Sequence, residues 1–391
     1  MTTKVHLIGA ALISLLAISG CQPARPTSAP TPAPTASAPW TEEEVTFASG
    51  PNELYGILTL PIAGGPHRAI VLISGSVHPE TGTRDGVSSG LHIQHAARLV
   101  REGFAVLRYD PPGVGRSKGA RGFESLDSRA EEAVAAARYL RSRPDIQPDR
   151  VGLWGVSQGG WVISMAAADA PQEIAFIISA SGSGVSVAEE QVYGVEAQTR
   201  ATGVSEEDVA KAVLFARLLV DWQLTRPIFR EVNEADAGRL GNGPWNDFQR
   251  LVYEPGSLTP AESLQRGIVI LESIKDQFWA RALYLKELYL PELKSIAPDQ
   301  LLAARAAADQ SLLTDPKDYL TRVRCPVLAF FGEDDQNLPA KKSAALFEQF
   351  LTQAGNRDFE IVMFPGVGHS LGNFSPDYWE ALSGWLKRRG G

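Results

Sequence analysis

Ser157 sits in Gly155-Val156-Ser157-Gln158-Gly159, between an apolar run at 151–154 and an Ala-rich helical pattern that continues to residue 168. Strand, sharp turn and helix are the context in which G-x-S-x-G marks a nucleophile. Such a turn strains the serine backbone and exposes the hydroxyl, while the flanking glycines let strand and helix approach closely. The reading is a serine nucleophile of a hydrolase; the bland alternative is a small residue in an ordinary turn. A second match, Gly368-His369-Ser370-Leu371-Gly372, lies close to the C-terminus and no histidine follows it. Where this elbow carries a triad the chain order is Ser, acid, His, and only Ser157 leaves room for that order.

A serine hydroxyl needs a base, and the base needs an orienter. The sequence has six histidines. His6 lies in the N-terminal apolar segment, His67 in an early turn, and His92 and His95 on one helical pattern. His78 follows the first central strand but precedes the serine. His369 follows the strand-like stretch 359–364 in a Gly-rich loop, Pro365-Gly366-Val367-Gly368-His369, and is the expected base. The acid is expected on the loop Gly332-Glu333-Asp334-Asp335, after the apolar strand 326–331, where three carboxylates compete. No acid follows the stretch 174–179, which ends in Ala180-Ser181-Gly182. A tetrahedral intermediate needs two backbone donors. One is the amide of Gln158; the other is expected from Ser74-Gly75-Ser76-Val77-His78, with Ser76 the better placed. The competing reading of that stretch is a plain Gly/Ser turn.

These residues need elements to position them. Stretches 43–47 and 54–60 read as an opening hairpin. Strand-like and helical patterns then alternate: 69–74, 91–101, 105–109, 130–141, 151–154 and the elbow helix, then 174–179. Continuous apolar strands suit a parallel sheet covered on both faces, and the alternation predicts a doubly wound, mostly parallel α/β architecture. From 184 to 322 the pattern is helical with no convincing strand; Thr259-Pro260-Ala261-Glu262 and Ser205-Glu206-Glu207-Asp208 both read as helix starts. The rhythm resumes at 326–331, 340–351, 359–364 and 378–388. An insertion this long is read as an α-helical cap over the C-terminal edge of the sheet, where open α/β folds bind ligands. The alternative is a helical domain that does not touch the site. Trp222, Phe229, Trp245, Phe248, Phe278, Trp279 and Tyr284 recur at helical spacing, as cap core or as the lining of an apolar acyl pocket.

The N-terminus stands apart. Residues 1–20 have signal-peptide design, with Lys4 followed by an apolar stretch too short to span a bilayer. Ile18-Ser19-Gly20-Cys21 resembles a bacterial lipobox, which implies lipidation at Cys21 and attachment to a membrane surface; an ordinary secretory signal is the alternative. Gln22 after the cysteine favours, by the same resemblance, the outer membrane. Residues 21–41 are a Pro-rich tether. The core is expected over 42–183 and 323–391, with the cap over 184–322. Beyond Cys21 only Cys325 remains, read as a buried core residue. No Cys/His/Asp spacing suggests a metal, and no cofactor is implied. A net charge of −8 without a basic run argues against nucleic acid as a partner.

Five motifs in order carry a resemblance. They are Ser74-Gly75-Ser76; Leu107-Arg108-Tyr109-Asp110 with Gly113-Val114-Gly115-Arg116-Ser117; Gly155-Val156-Ser157-Gln158-Gly159-Gly160; Gly332-Glu333-Asp334-Asp335 with Leu338-Pro339; and Gly368-His369. Together they resemble bacterial α/β-hydrolase carboxylesterases, grouped with dienelactone-hydrolase-like and serine-aminopeptidase-like proteins. The resemblance covers the chain from about residue 43 and reaches into the stretch 189–203. It implies the α/β-hydrolase fold, a small-molecule ester substrate, and Asp335, the fourth residue of its loop, as the acid beside Ser157 and His369. Pro111-Pro112-Gly113 stands where relatives carry Arg and Gly, so that arginine's ion pair is expected to be absent or replaced. Val77 and His78 stand where relatives often have Gly-Pro. The function implied is a serine carboxylesterase. The same triad serves a peptidase or amidase. An alternative of another class is a non-catalytic binding lipoprotein of the envelope, against which the intact Ser, Asp and His stand.

Overall fold

The computed structural model describes residues 40–62, 64–76, 84–119, 125–231, 243–277, 285–297 and 300–389. The signal segment, Cys21, most of the tether, His6, Val77, His78, Phe278, Trp279 and Tyr284 lie outside them. The strands are β1 (Trp40–Ser49), β2 (Asn52–Pro61), β3 (His67–Ile73), β4 (Phe104–Tyr109), β5 (Ile146–Val156), β6 (Ile177–Ala180), β7 (Val327–Gly332) and β8 (Phe359–Phe364). They form one eight-stranded sheet in the order β1-β2-β4-β3-β5-β6-β7-β8. β1 and β2 form the antiparallel hairpin at one edge, β2 meets β4 antiparallel, and the remaining pairs are parallel.

The helices of the core are α1 (Gly90–Leu99), α2 (Leu126–Arg141) and α3 (Gly159–Asp169). Between β6 and β7 the described residues are helical: α4 (Val187–Ala201), α5 (Glu206–Gln223), α6 (Pro244–Tyr253), α7 (Pro260–Ile274), α8 (Leu290–Ser295), α9 (Leu301–Leu312) and α10 (Lys317–Leu320). Ser205 caps α5 by accepting from the Asp208 amide, and Thr259 with Glu262 forms a complete capping box on α7. α11 (Ala340–Gln353), α12 (Leu371–Phe374) and α13 (Pro376–Arg388) complete the chain.

Strand periodicity divides the core. Val71 and Ile73 of β3 face a large cluster that includes α2, α3 and the inserted helices, while Ile70 and Leu72 face a second cluster with α1 and α13. Trp222, Trp245 and Phe248 are buried in the first cluster, so these three aromatics are packing residues continuous with the sheet core. On the other face Trp154 Nε1 donates to Tyr378 Oη at 2.8 Å, and His95 Nε2 lies 3.3 Å from the same hydroxyl.

Two strands differ in extent from the expectation. β5 begins at Ile146, five residues early, because Ile146 pairs with His67 across an irregularity in the ladder that polar 147–150 conceals in the sequence. The ladder beside β6 starts at the Ala175 amide, which donates to Val151, although the regular strand begins at Ile177. Cys325 is half-buried, and burial pushes its thiol up to about 12.

Candidate active site

β5 ends at Val156 and delivers Ser157 into the turn with φ of 52°, a left-handed conformation that costs a non-glycine residue about 1–3 kcal/mol. The sheet holds it there: Val156 pairs with Ala180, and the Ser157 amide donates onward to the Ala180 carbonyl at 2.8 Å. Gly155 and Gly159 are the close approaches of the elbow. A Cβ on Gly155 would collide with the Gly159 carbonyl, and one on Gly159 would stand 2.8 Å from the carbonyl oxygens of Ile73 and Ser74. Side chains at these positions would therefore lift α3 off the strand ends.

His369 reaches the serine from the opposite side. Its Nε2 lies 3.0 Å from Ser157 Oγ, and its Nδ1 lies 2.7 Å from Asp335 Oδ2. A carboxylate only accepts, so Nδ1 carries the hydrogen and Nε2 presents its lone pair to the serine hydroxyl. The other oxygen of Asp335 accepts from the Asn337 and Leu338 amides at 2.8 and 3.1 Å, which fixes the carboxylate plane. Tyr193 Oη on α4 donates to the Asp335 carbonyl at 3.0 Å. The competing acids of the loop make no such contact: Glu333 pairs with Lys341 at 2.7 Å, and Asp334 is exposed, with its amide donating to the Val367 carbonyl. That bond and the one from the Glu333 amide to Phe364 tie the acid loop to the histidine loop.

The expected oxyanion donors meet through strand register. Ile73 pairs with Gly155, so two residues beyond this pair Gly75 lies beside Ser157. A Cβ on Gly75 would touch Ser157 Cβ at 3.4 Å. Ser76 and Gln158 thus flank the nucleophile on neighbouring loops. Behind them lies a buried ion pair, Arg84 with Glu132 at 2.9 Å, in a chain that has no arginine directly after Asp110. Asp110 instead accepts from the Val87 and Arg116 amides.

No residue-type pattern marks Glu190 in the sequence. It sits in the first turn of α4, where Glu189 and Glu190 after the Ser186 cap read as ordinary complements to a helix N-terminus. In the fold it is half-buried beside the triad. Burial pushes its carboxyl up to about 7 against a hydrogen bond with Ser183 and the nearby His369, and the Asp335 charge adds to the rise. For His369 burial works downward, but the Asp335 carboxylate, by charge and hydrogen bond, and Glu190 more weakly hold its pKa above the ordinary histidine value. Spacing alone does not reveal Glu190, because the contact is made by the insertion folding back on the sheet edge.

The remaining candidates lie elsewhere. Ser370 is exposed with φ of −77° and precedes the four-residue α12, so the second G-x-S-x-G is no elbow. His92 and His95 are buried on α1 among aromatic rings.

These contacts give the Ser157 hydroxyl a base and the base an orienter, which is what a serine nucleophile requires. Residues 15–370 match the model of the X-Pro dipeptidyl-peptidase (S15) family. The chain belongs to that family. Among relatives of this S15 chain, the quorum-quenching protein AidA of Acinetobacter baumannii is 41% identical over 86 residues, 22% of this chain and 28% of its own. Thiohydrolase aneE of Aspergillus aculeatus is 35% identical over 80 residues, 20% of this chain and 25% of its own. The chain thus spans about a quarter of the length of these two curated relatives. Among solved structures, the esterase PF2001 of Pyrococcus furiosus superposes with a TM-score of 0.50 at 12% identity, over 89% of this chain and 91% of that one. That likeness shows the fold, which is the α/β-hydrolase fold.

Proposed function

We propose that this S15-family protein is a serine hydrolase that cleaves carboxylic esters of small molecules through an acyl-enzyme. The observation that carries the reading is the chain of contacts from Ser157 Oγ through His369 to Asp335, at 3.0 and 2.7 Å, on a left-handed elbow. In this reading His369 Nε2 takes the hydroxyl proton as Ser157 Oγ attacks the carbonyl carbon. The oxyanion forms between the amides of Gln158 and Ser76. His369 returns the proton to the leaving oxygen, and then activates water to release the acid. Asp335 holds the imidazole tautomer and stabilises imidazolium without taking the proton. Relatives named as an esterase and a thiohydrolase fit acyl transfer from oxygen or sulfur leaving groups.

The family's description favours a second reading, a peptidase acting on X-Pro peptides. A panel of p-nitrophenyl esters of increasing acyl length, beside X-Pro p-nitroanilides, separates the two. Ester turnover well above anilide turnover is expected; the reverse order supports the peptidase. In Ser157→Ala both activities should fall by about 10⁴- to 10⁶-fold in kcat with the fold intact.

We also propose that Cys21 is lipidated and holds the enzyme on the envelope, with outer-membrane retention favoured. The support is Ile18-Ser19-Gly20-Cys21 and the Pro-rich stretch that follows. Full-length protein should then fractionate with bacterial membranes, and Cys21→Ala should abolish a mass shift corresponding to acyl chains. An unmodified, wholly soluble mature protein would count against the anchor and leave the hydrolase reading in place.

A further inference from the structure

Arg129 lies at the end of the first turn of α2, yet it is only 2% exposed and points under the nucleophile. Its Nη2 donates to the carbonyls of Ser74 and Gly75 at 2.6 and 2.9 Å, and its Nη1 donates to Gln158 Oε1 at 2.5 Å. A buried guanidinium is costly unless its donors find acceptors. Here the acceptors belong to the two loops that flank Ser157, and to no other element among these three bonds.

The bond to Gly75 has a particular consequence. The Gly75 carbonyl and the Ser76 amide are opposite ends of one planar trans peptide. Fixing the carbonyl on Arg129 therefore fixes where the Ser76 N–H points, which is the other way. A cation on the carbonyl also polarises that peptide, so the N–H becomes a stronger donor. The second donor is treated alike: the Ser157 carbonyl, which shares a peptide with the Gln158 amide, accepts from the Gly160 amide at 2.8 Å. Each expected oxyanion donor thus has the far end of its peptide tied down, one by helix α3 and one by Arg129.

We propose that Arg129 is a positioning residue of the oxyanion hole, holding the Ser76 peptide and the Gln158 residue at a set separation. It touches no substrate atom. It rests on the serine-hydrolase reading of Ser157 but not on the choice between ester and peptide. The guanidinium matters because three acceptors on two loops need a planar fork; a lysine ammonium reaches the same space as a point charge and cannot span them equally well.

The test is the rate at which a fluorophosphonate probe labels Ser157 in the full-length protein and in Arg129→Lys and Arg129→Met, with thermal midpoints measured alongside. The phosphonyl oxygen occupies the oxyanion hole during labelling, so the rate reads the hole without knowledge of the substrate. Misplacing a donor by about 1 Å costs on the order of 10²-fold, so Arg129→Met should label about 10²-fold more slowly, with Arg129→Lys between it and wild type. On any ester or anilide that is turned over, kcat should fall by the same factor while KM stays within about threefold and the acid limb of the pH profile does not move. Folded variants that label as fast as wild type overturn the proposal, and a lowered thermal midpoint with unchanged labelling assigns Arg129 to packing alone. If Arg129→Met does not fold, Arg129→Lys decides, with wild-type labelling by it overturning the proposal. A wild type that does not label at Ser157 overturns the nucleophile reading and this proposal with it.

Discussion

Ser181 donates its hydroxyl to the main-chain carbonyl of His369 at 2.8 Å, from a residue itself held at φ of 51°. β6 ends one residue earlier, and the Ser181 amide donates to Phe330 in β7, so this serine belongs to the sheet framework. It transmits that rigidity to a Gly-rich loop that carries the base. The end of β6 holds no carboxylate, and it positions the base by a neutral bond instead.

Ser181→Ala should therefore loosen His369 without touching the substrate. A net hydrogen bond of this kind is worth about 1 kcal/mol, so kcat should fall about five- to tenfold with KM nearly unchanged. Equal kcat in wild type and variant would show that the glycine loop holds the histidine unaided.

Asp335→Asn is expected to cost about 10²-fold or more in kcat, because an amide in that place no longer enforces the Nδ1–H tautomer. Asp334→Asn and Glu333→Gln should cost far less, since Glu333 is committed to Lys341. Steady-state rates of the three variants on one ester check this; three similar small losses would place the orienting carboxylate elsewhere.

The triad is legible in the amino-acid sequence because its parts lie at strand ends, and strand ends read as apolar runs closing in glycine. Ser157 and the Asp335 loop each follow such a run, and the His369 loop follows the largely apolar stretch 359–364, which closes in Pro365-Gly366. The register between β3 and β5 that sets Gly75 beside Ser157 is implicit in the doubly wound order. Residue type alone does not separate Asp335 from Glu333 and Asp334, and the choice needs the resemblance. Glu190 and Arg129 are hidden for a different reason. Each sits in the first turn of a helix, where charged residues are ordinary, and becomes part of the site through packing between elements far apart in the chain.

Glu190 should shape the pH profile. Its carboxylate helps raise the pKa of His369, and His369 acts as a base only when neutral. In Glu190→Gln that contribution is gone, the histidine loses its proton more readily, and the acid limb of kcat/KM should move to lower pH. Rates well above the limb should change little. Because Glu190 titrates at about 7, within reach of the same limb, the wild-type profile should also be broader than that of the variant. Superimposable profiles would remove Glu190 from the electrostatics of the site.

Acid stability should be governed in part by α1, far from the chemistry. Burial lowers His92 to about 4 and His95 to about 3, against an ordinary value of 6.5. Their neutral forms are what the aromatic cluster accepts: the His95 ring lies 4.2 Å from that of Trp154 at a tilt of 40°, and its Nδ1 donates to the Leu91 carbonyl. The folded pKa lies below the unfolded one, so the unfolded chain binds protons first. Stability is full above pH 6.5 and declines as pH falls from there toward 4 for His92 and 3 for His95, at about 1.4 kcal/mol per pH unit for each histidine. The urea midpoint should thus drop between pH 6.5 and pH 5. His92→Gln, which cannot titrate, should show a shallower drop even if its midpoint at pH 7 is lower. Parallel declines in wild type and variant would mean that His92 is protonated in the folded protein and that acid sensitivity arises from other groups.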